Sequence, residues 1–312
     1  MYEKVVNTKN LPYKEWLLYR RQGIGGSDAG AVCGLNPYVS PIAVYRDKTE
    51  PEPDIYDNEP MRQGRDLEQY VAERFEEETG KKVRRTNFLY RSVEHPFMQA
   101  NVDRLIVGED AGLECKTASA YNIDKWKDGA IPEHYEIQCQ HYMAVMGSSA
   151  WYIAVVIMGV AFKWRKIVRD EGLIRDLITI EADFWHGNVV PRLLPDPDGS
   201  LIYDDVLERY FHVAKKNATI PLVGFNDKLR RRAEVIKLQD RLEEEKRQID
   251  QELKLFIGDN ERAYNDSFKV SWSNVSSDRL DIQRIKEEEP ELYKRYLKTS
   301  VSRRFLVKEI AG

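Results

Sequence analysis

Apolar residues recur at four-residue spacing through Leu67, Val71 and Phe75, and the pattern stops at Gly80, which predicts an amphipathic helix from about Met61 to Thr79 with a glycine terminator. The period then changes. "VRRTNFLYR" (83–91), "MQANVDRLIV" (98–107) and "GLECKT" (112–117) read as strands, the last two joined through a loop "VGEDAG". Pro132 opens a further helix to about Met146, with Gly147 at its end. "AWYIAVV" and "AFKWRKIV" give a second pair of strands, a helix follows from about Glu171 to Asn188, and "PRLLPDPDGS" turns the chain. Nearer the start, 13–22 reads as a helix carrying Trp16, and the Pro-rich acidic stretch 51–60 as a surface loop. Helices and strands alternating in this way predict an α/β or α+β core in which helices flank a central mixed sheet.

The pattern beyond 225 is of another kind. Val235, Leu242, Ile249 and Phe256 fall at seven-residue steps, with Leu238 and Leu253 beside them, in a strongly charged background. A long amphipathic helix or a helical hairpin satisfies this spacing, packing on its own core or on a partner. A strand around "FKVSWS", a helix around 281–298 and a basic end follow. The expected organisation is therefore a core over 1–225, a charged helical segment over 226–258, and a strand–helix segment over 259–312 packing on the core.

Composition narrows the class. The longest apolar run, "AWYIAVVIMGVAF", is too short for a membrane span and contains Gly159, and the N-terminal residues lack the apolar centre of a signal peptide, so a cytoplasmic protein without a membrane partner is expected. Cys33, Cys115 and Cys139 form no CxxC pair, and the five histidines show no HExxH spacing. The net charge of −4 argues against a uniformly basic nucleic-acid surface. The cations are nonetheless clustered, at 20–21, 81–85, 163–166, 230–232 and 303–304, so a local basic groove is compatible with the total.

Candidate chemistry centres on "ANVDRLIVGEDAGLECKT" (100–117). Alternation along a strand points Glu114 and Lys116 to one face, and a hairpin through "VGEDAG" brings Asp103 across from them. Three charged groups among Leu105, Ile106, Val107 and Leu113 must pair or hold a cation. Two carboxylates with a carbonyl make a hard oxygen site for Mg²⁺ or Mn²⁺, and a neighbouring lysine can orient a water. A plain Glu–Lys ion pair with an unrelated Asp satisfies the same string. Glu68 lies between Gly64 and Ala72 on the edge of the apolar face of its helix, and Gln140 shares a face with Ile137 and Ala144, where it would bond Lys116, a metal-bound water or a backbone group. In "RRQGIGGSDAG" (20–30), glycines lead to a helix that Ser27 would cap, with Arg21 able to add a bond to a phosphate.

These segments, together with "WLLYRRQGIGGSDAGAVCGLNPYVSP", "IPEHYEIQCQHYMAV" and the tail "YKRYLKTSVSRRFLVKE", resemble in their order the YqaJ-type phage recombinase family, whose nuclease core is similar to lambda exonuclease within the PD-(D/E)XK superfamily. The resemblance implies a restriction-endonuclease-like core with a helical C-terminal extension. It implies Asp103 and Glu114 as metal-binding acids, the Cys115 carbonyl as a further ligand, Glu68 completing the site, Lys116 positioning the attacking water and Gln140 supporting the lysine. Arg21, Ser27 and Asn101, the last standing where the family has serine, would hold the 5′ phosphate of a DNA end. It further implies a Mg²⁺-dependent 5′–3′ exodeoxyribonuclease, with two ions per site and Mn²⁺ as a substitute. Such an enzyme, phage or prophage encoded, would resect linear duplex ends to 3′ single strands for homologous recombination. A homo-oligomer in the form of a trimeric ring and a single-strand annealing partner of the RecT or Beta type go with it. An endonuclease on the same core, and a non-catalytic DNA-end binder, are the alternatives.

Overall fold

The computed structural model describes residues 1–51, 58–298 and 302–309. Most of the loop expected at 51–60, and the centre and extreme end of the expected tail, lie outside the described residues. The chain divides into two units, Met1–Tyr210 and Phe211–Gly312.

In the first unit the elements run β1 (Tyr2–Asn7), α1 (Tyr13–Arg20), β2 (Ile24–Gly25), α2 (Gly26–Val32), α3 (Pro41–Thr49), α4 (Glu59–Thr79), β3 (Val83–Arg84), β4 (Phe88–Ser92), β5 (Met98–Asn101), β6 (Arg104–Ile106), β7 (Ala111–Ala118), a 3₁₀ segment (Ala120–Gly129), α5 (Glu133–Met146), β8 (Ala150–Ile157), β9 (Ala161–Val168), α6 (Glu171–Phe184), a π-helical turn (Trp185–Val189) and α7 (Leu201–Tyr210). Five strands form a mixed sheet in the order β3-β6-β7-β8-β9, and four form a second sheet in the order β1-β4-β5-β2. Only β7 and β8 run parallel in the larger sheet, and α5 is the crossover that such a pair requires.

Two of the expected strands are each divided between the sheets. Within 83–91, Asn87 takes a left-handed φ of 53°, which ends β3 and re-aims the chain into β4. Within 98–107, the ladder stops at Val102–Asp103, and β5 and β6 then pair with different neighbours. The junction of the two sheets thus falls at Asp103.

Strand β8 is buried on both faces, which is why it reads as a continuous apolar run. Ala150, Tyr152 and Ala154 pack with Val71, Ala72 and Phe75 of α4. Trp151, Ile153, Val155 and Ile157 pack with Cys139, Tyr142, Met143 and Val145 of α5. The helices are bounded as their sequences dictate. Asn58 accepts the Met61 N–H at 2.9 Å to cap α4, and Gly80 and Gly147 end α4 and α5 in left-handed conformations. Helix α5 is also pinned by a fully buried His141, whose Nδ1 faces Glu181 Oε1 of α6 at 2.7 Å and whose Nε2 faces the Gln99 carbonyl of β5 at 2.8 Å. The Gln99 carbonyl can only accept, so Nε2 donates to it.

In the second unit, α8 (Asn226–Ile257) is one continuous 32-residue helix, followed by the hairpin β10 (Arg262–Tyr264) and β11 (Lys269–Ser271) and by α9 (Ile282–Glu288) and α10 (Pro290–Tyr296). The helix expected over 281–298 breaks because Pro290 has no N–H to donate and Glu289 leaves the helical region at φ −130°, ψ 60°. No helix of the described residues is long and apolar enough to cross a membrane.

Gly112 of β7 lies under the Trp151 indole, and a Cβ there would stand 2.2 Å from the ring. Gly112→Ala is expected to destabilise the first unit by about 1–3 kcal/mol through overpacking, read as a lower denaturant midpoint at unchanged slope.

Candidate active site

The register of β6 on β7, with Arg104 opposite Leu113, continues to place Asp103 opposite Glu114. Asp103 Oδ2 accepts the Cys115 N–H at 2.8 Å, so the side chain takes over where the ladder ends. Leu113 points into the α4 core, and Glu114 and Lys116 therefore point to the α5 side, as strand alternation requires. Lys116 Nζ lies 2.7 Å from Glu114 Oε1, donates to Gln138 Oε1 at 3.0 Å, and sits 4.6 Å from the centroid of the Tyr135 ring. Gln138 Nε2 donates to Glu114 Oε1 at 2.7 Å and to the Tyr142 hydroxyl at 2.9 Å, and that hydroxyl donates to the Asn101 carbonyl at 3.3 Å. The amide of Gln138 is thereby oriented, carbonyl to the cation and NH₂ to the carboxylate.

Electrostatics follow from this crowding. Burial pushes the Asp103 carboxyl well above its ordinary range, and Glu114 and Glu68 push it further; the Cys115 N–H and Lys116 only partly oppose them. Burial works against the Lys116 ammonium, yet Glu114 and the neighbouring Tyr135 and Asp103 raise its pKa, so it is held as a cation. Burial and the two carboxylates also raise the Cys115 thiol, which is no thiolate nucleophile. Glu114 Oε2 is buried without a hydrogen-bond partner. A buried carboxylate oxygen with no donor, beside a second carboxyl that resists ionisation, fits a hard divalent cation. Among the described residues no cluster of three His, Cys, Asp or Glu side chains forms a ready cage, so an ion would draw on Asp103, Glu114 and main-chain oxygen.

Glu68 and Asn101 do line the same cleft as Asp103, a space of about 140 Å³ that also includes Arg85 and Arg104. Glu68 Oε1 is engaged by Arg104 and by Arg85, the latter at 3.3 Å. Arg104, its side chain 3% exposed, also donates to the Asp103 carbonyl at 2.7 Å and to Gln69 at 3.0 Å.

Three expectations are corrected. Gln140 does not reach Lys116: its amide bonds the Val168 carbonyl at 2.9 Å and the Asp170 N–H at 3.1 Å. Two residues apart on a helix is about 200° of rotation, so Gln138 faces the site and Gln140 faces away. Arg21 does not turn toward Ser27: its guanidinium bonds the Asp47 and Glu50 carbonyls at the end of α3. Arg20 occupies that place instead, 2.9 Å from Ser27 Oγ and 3.0 Å from Asp28 Oδ1. Ser27 is also not the cap. Gly25 is, and Asp28 Oδ2 accepts the Gly25 N–H at 3.0 Å. The α2 segment abuts the site helix closely, since a Cβ on Gly26 would lie 2.5 Å from the Tyr142 ring.

Sequence reading also passed over Arg104, Gln138 and Tyr142. The four-residue step from Gln138 to Tyr142, on the helix joining the two parallel strands, was the available signal.

A family profile described as the YqaJ-like viral recombinase domain matches residues 15–149. The YqaJ protein of Bacillus subtilis (strain 168) is 37% identical over 313 aligned residues, which span 99% of this chain and 98% of that protein. The chain belongs to the YqaJ family. Among solved structures, the alkaline exonuclease LHK-Exo from Laribacter hongkongensis is 22% identical over 55% of this chain and 91% of that one, with a TM-score of 0.47. Its complex with dAMP is 20% identical over 64% and 97%, with a TM-score of 0.49.

Asp28 lies between Lys48 Nζ at 2.8 Å and Arg20, and although burial opposes its ionisation, these cations hold the carboxyl well below its ordinary value. A depressed carboxylate stabilises the fold above its unfolded pKa of about 4 and loses that contribution as the pH falls through the folded value. Asp28→Asn is expected to lower stability by about 3–5 kcal/mol at pH 7 and to flatten the acid loss between about pH 4 and pH 2, measured by denaturant titration across pH.

Proposed function

We propose that this YqaJ-family chain is a Mg²⁺-dependent exodeoxyribonuclease, with Mn²⁺ as a substitute, that resects linear double-stranded DNA from 5′ ends. The observation that carries the reading is Glu114: one carboxylate oxygen is tied to Lys116 and Gln138, and the other is buried, without a partner, on the strand opposite Asp103. A structural ion pair has no use for the second oxygen or for a second, half-buried carboxyl beside it. One or two divalent ions, held by Asp103, Glu114 and the Cys115 carbonyl, would supply Lewis acidity and a more acidic water.

Within that scheme the chain's own groups have separate tasks. Lys116, held protonated, orients the attacking water and offsets charge on the scissile phosphate rather than accepting a proton. Gln138 fixes the ammonium and the carboxylate relative to each other. Tyr142 fixes Gln138. Arg20, at the end of α1, and its partner Ser27, on α2, would receive a terminal phosphate through charge-assisted bonds. The 5′–3′ polarity, a trimeric ring, a RecT- or Beta-type annealing partner, phage or prophage encoding and action in the bacterial cytoplasm belong to the same proposal and rest on the resemblance alone. The 3′ single strands left behind would feed homologous recombination.

The test is a linear duplex with labelled 5′-phosphate ends beside the same DNA as a closed circle, each with Mg²⁺. Label is expected to leave the linear form alone. Lys116→Ala should reduce the rate at least ~10²-fold and Gln138→Ala by about 10–100-fold, while Gln140→Ala stays within a few-fold. Cutting of the circle would move the assignment to an endonuclease, and no cutting with either Mg²⁺ or Mn²⁺ would leave an end-binding protein.

Metal binding has a readout of its own. Mg²⁺ or Mn²⁺ is expected to raise the thermal midpoint of the wild-type protein. Asp103→Asn should raise the midpoint without metal, because it removes one of two crowded carboxyls, and should abolish the metal-dependent rise.

A further inference from the structure

In the second unit the only buried side chain among the described residues is Ile257, and α8 leaves an apolar line exposed. Val235, Leu238, Leu242, Ile249, Leu253 and Phe256 are between 38% and 83% exposed. On a helix of 3.6 residues per turn these six fall within about 30° of one line parallel to the axis. Their spacing along that line has a symmetry. About the point between Glu245 and Lys246, Val235 mirrors Phe256, Leu238 mirrors Leu253, and Leu242 mirrors Ile249.

From this we propose that α8 is a self-association surface, whose occupant is α8 of a second copy of this chain, running antiparallel about a two-fold axis near Glu245 and Lys246. A mirror-symmetric stripe is what an isologous antiparallel contact requires, because the axis then sets each apolar position opposite its mirror position on the partner. Three further properties select the antiparallel sense. About that axis residues 234–245, with five anions against two cations, lie opposite residues 246–257, with three cations against two anions. Reversed helices set the acidic segment of one against the more basic segment of the other, whereas a parallel pair sets acidic on acidic. Reversal also opposes the two helix dipoles. It places Val235 opposite Phe256, small against large, whereas a parallel pair in register would put Phe256 on Phe256 and the exposed Glu245 and Glu252 on their own copies. Two further mirror pairs, Lys237 with Lys254 and Ile236 with Leu255, point away from the stripe and take no part in the contact.

This contact is independent of the nuclease reading and of any ring formed by the first unit. Its test is the mass of the full chain by sedimentation over a wide concentration range, for the wild type and for Leu242→Asp/Ile249→Asp. The expected result is a mass that halves in the double variant, with the circular dichroism of the folded chain retained because both positions are exposed within one copy, and a thermal midpoint that no longer rises with protein concentration. Orientation is read by cross-linking with a short bis-maleimide on a background lacking Cys33, Cys115 and Cys139. Val235→Cys alone should give no covalent dimer, and neither should Phe256→Cys alone, while an equilibrated mixture of the two should. A wild-type monomer at every concentration, or a double variant of unchanged mass, would overturn the proposal. Dimers from Val235→Cys alone would overturn the antiparallel arrangement. Should the double variant fail to fold, the cross-linking of the single-cysteine chains decides alone.

Discussion

Two carboxyl groups face each other across adjacent strands at the point where two sheets separate, and the first unit is organised around tolerating them. Neither Asp103 nor Glu114 could be buried so close together without compensation. The compensation is local and asymmetric. Glu114 has Lys116 two residues on, on the same face of β7, and Gln138 above it; Asp103 has one main-chain N–H. What is left over is one carboxyl that resists ionisation and one oxygen with no donor. The divalent ion proposed for this site would relieve that residual frustration.

Helix α5 transmits that requirement to the rest of the unit. One side carries Tyr135, Gln138 and Tyr142 over the carboxylates. Its other contacts fix the helix in place: Gln140 bonds the backbone at Val168 and Asp170, and His141 bridges Glu181 and Gln99. The closeness of α2, set by Gly26 under the Tyr142 ring, leaves α5 little freedom to shift. Rotation of the helix would break Gln138 from Lys116 and Glu114 together, so the polar anchors on its far side act on the site through position. The continuous apolar run of β8 serves the same end, since a strand packed on both faces cannot slip without exposing one of them.

Much of this was legible in the sequence because it rests on periodicity. The α4 stripe and its Gly80 stop, the α5 boundaries at Pro132 and Gly147, and the shared face of Glu114 and Lys116 follow from repeat lengths of 3.6 and 2. Other features rest on long-range contacts that leave no local trace. β1 has mostly exposed residues and exists because β4 offers a ladder; α3 and α7 are short. The division of 83–91 and 98–107 between two sheets depends on the left-handed Asn87 and on the Asp103–Cys115 bond. Choosing Gln138 over Gln140, or Arg20 over Arg21, requires the rotational phase of a helix against a particular neighbour. Residue type and spacing offer two candidates in each case, and packing decides.

Glu68 illustrates how an ion pair beside a site can act on it through charge. Its carboxylate belongs to Arg104, whose guanidinium is almost fully buried and is also bonded to the Asp103 carbonyl. Moving Glu68 away would leave the nearly buried Arg104 with only the Asp103 carbonyl and Gln69 as partners. From that pairing Glu68 acts on Asp103 through its charge, which helps keep the carboxyl from ionising. Arg104 in turn ties α4 to the backbone at Asp103. The helix and the sheet junction are therefore fixed to each other by the same ion pair that tunes the carboxyl between them.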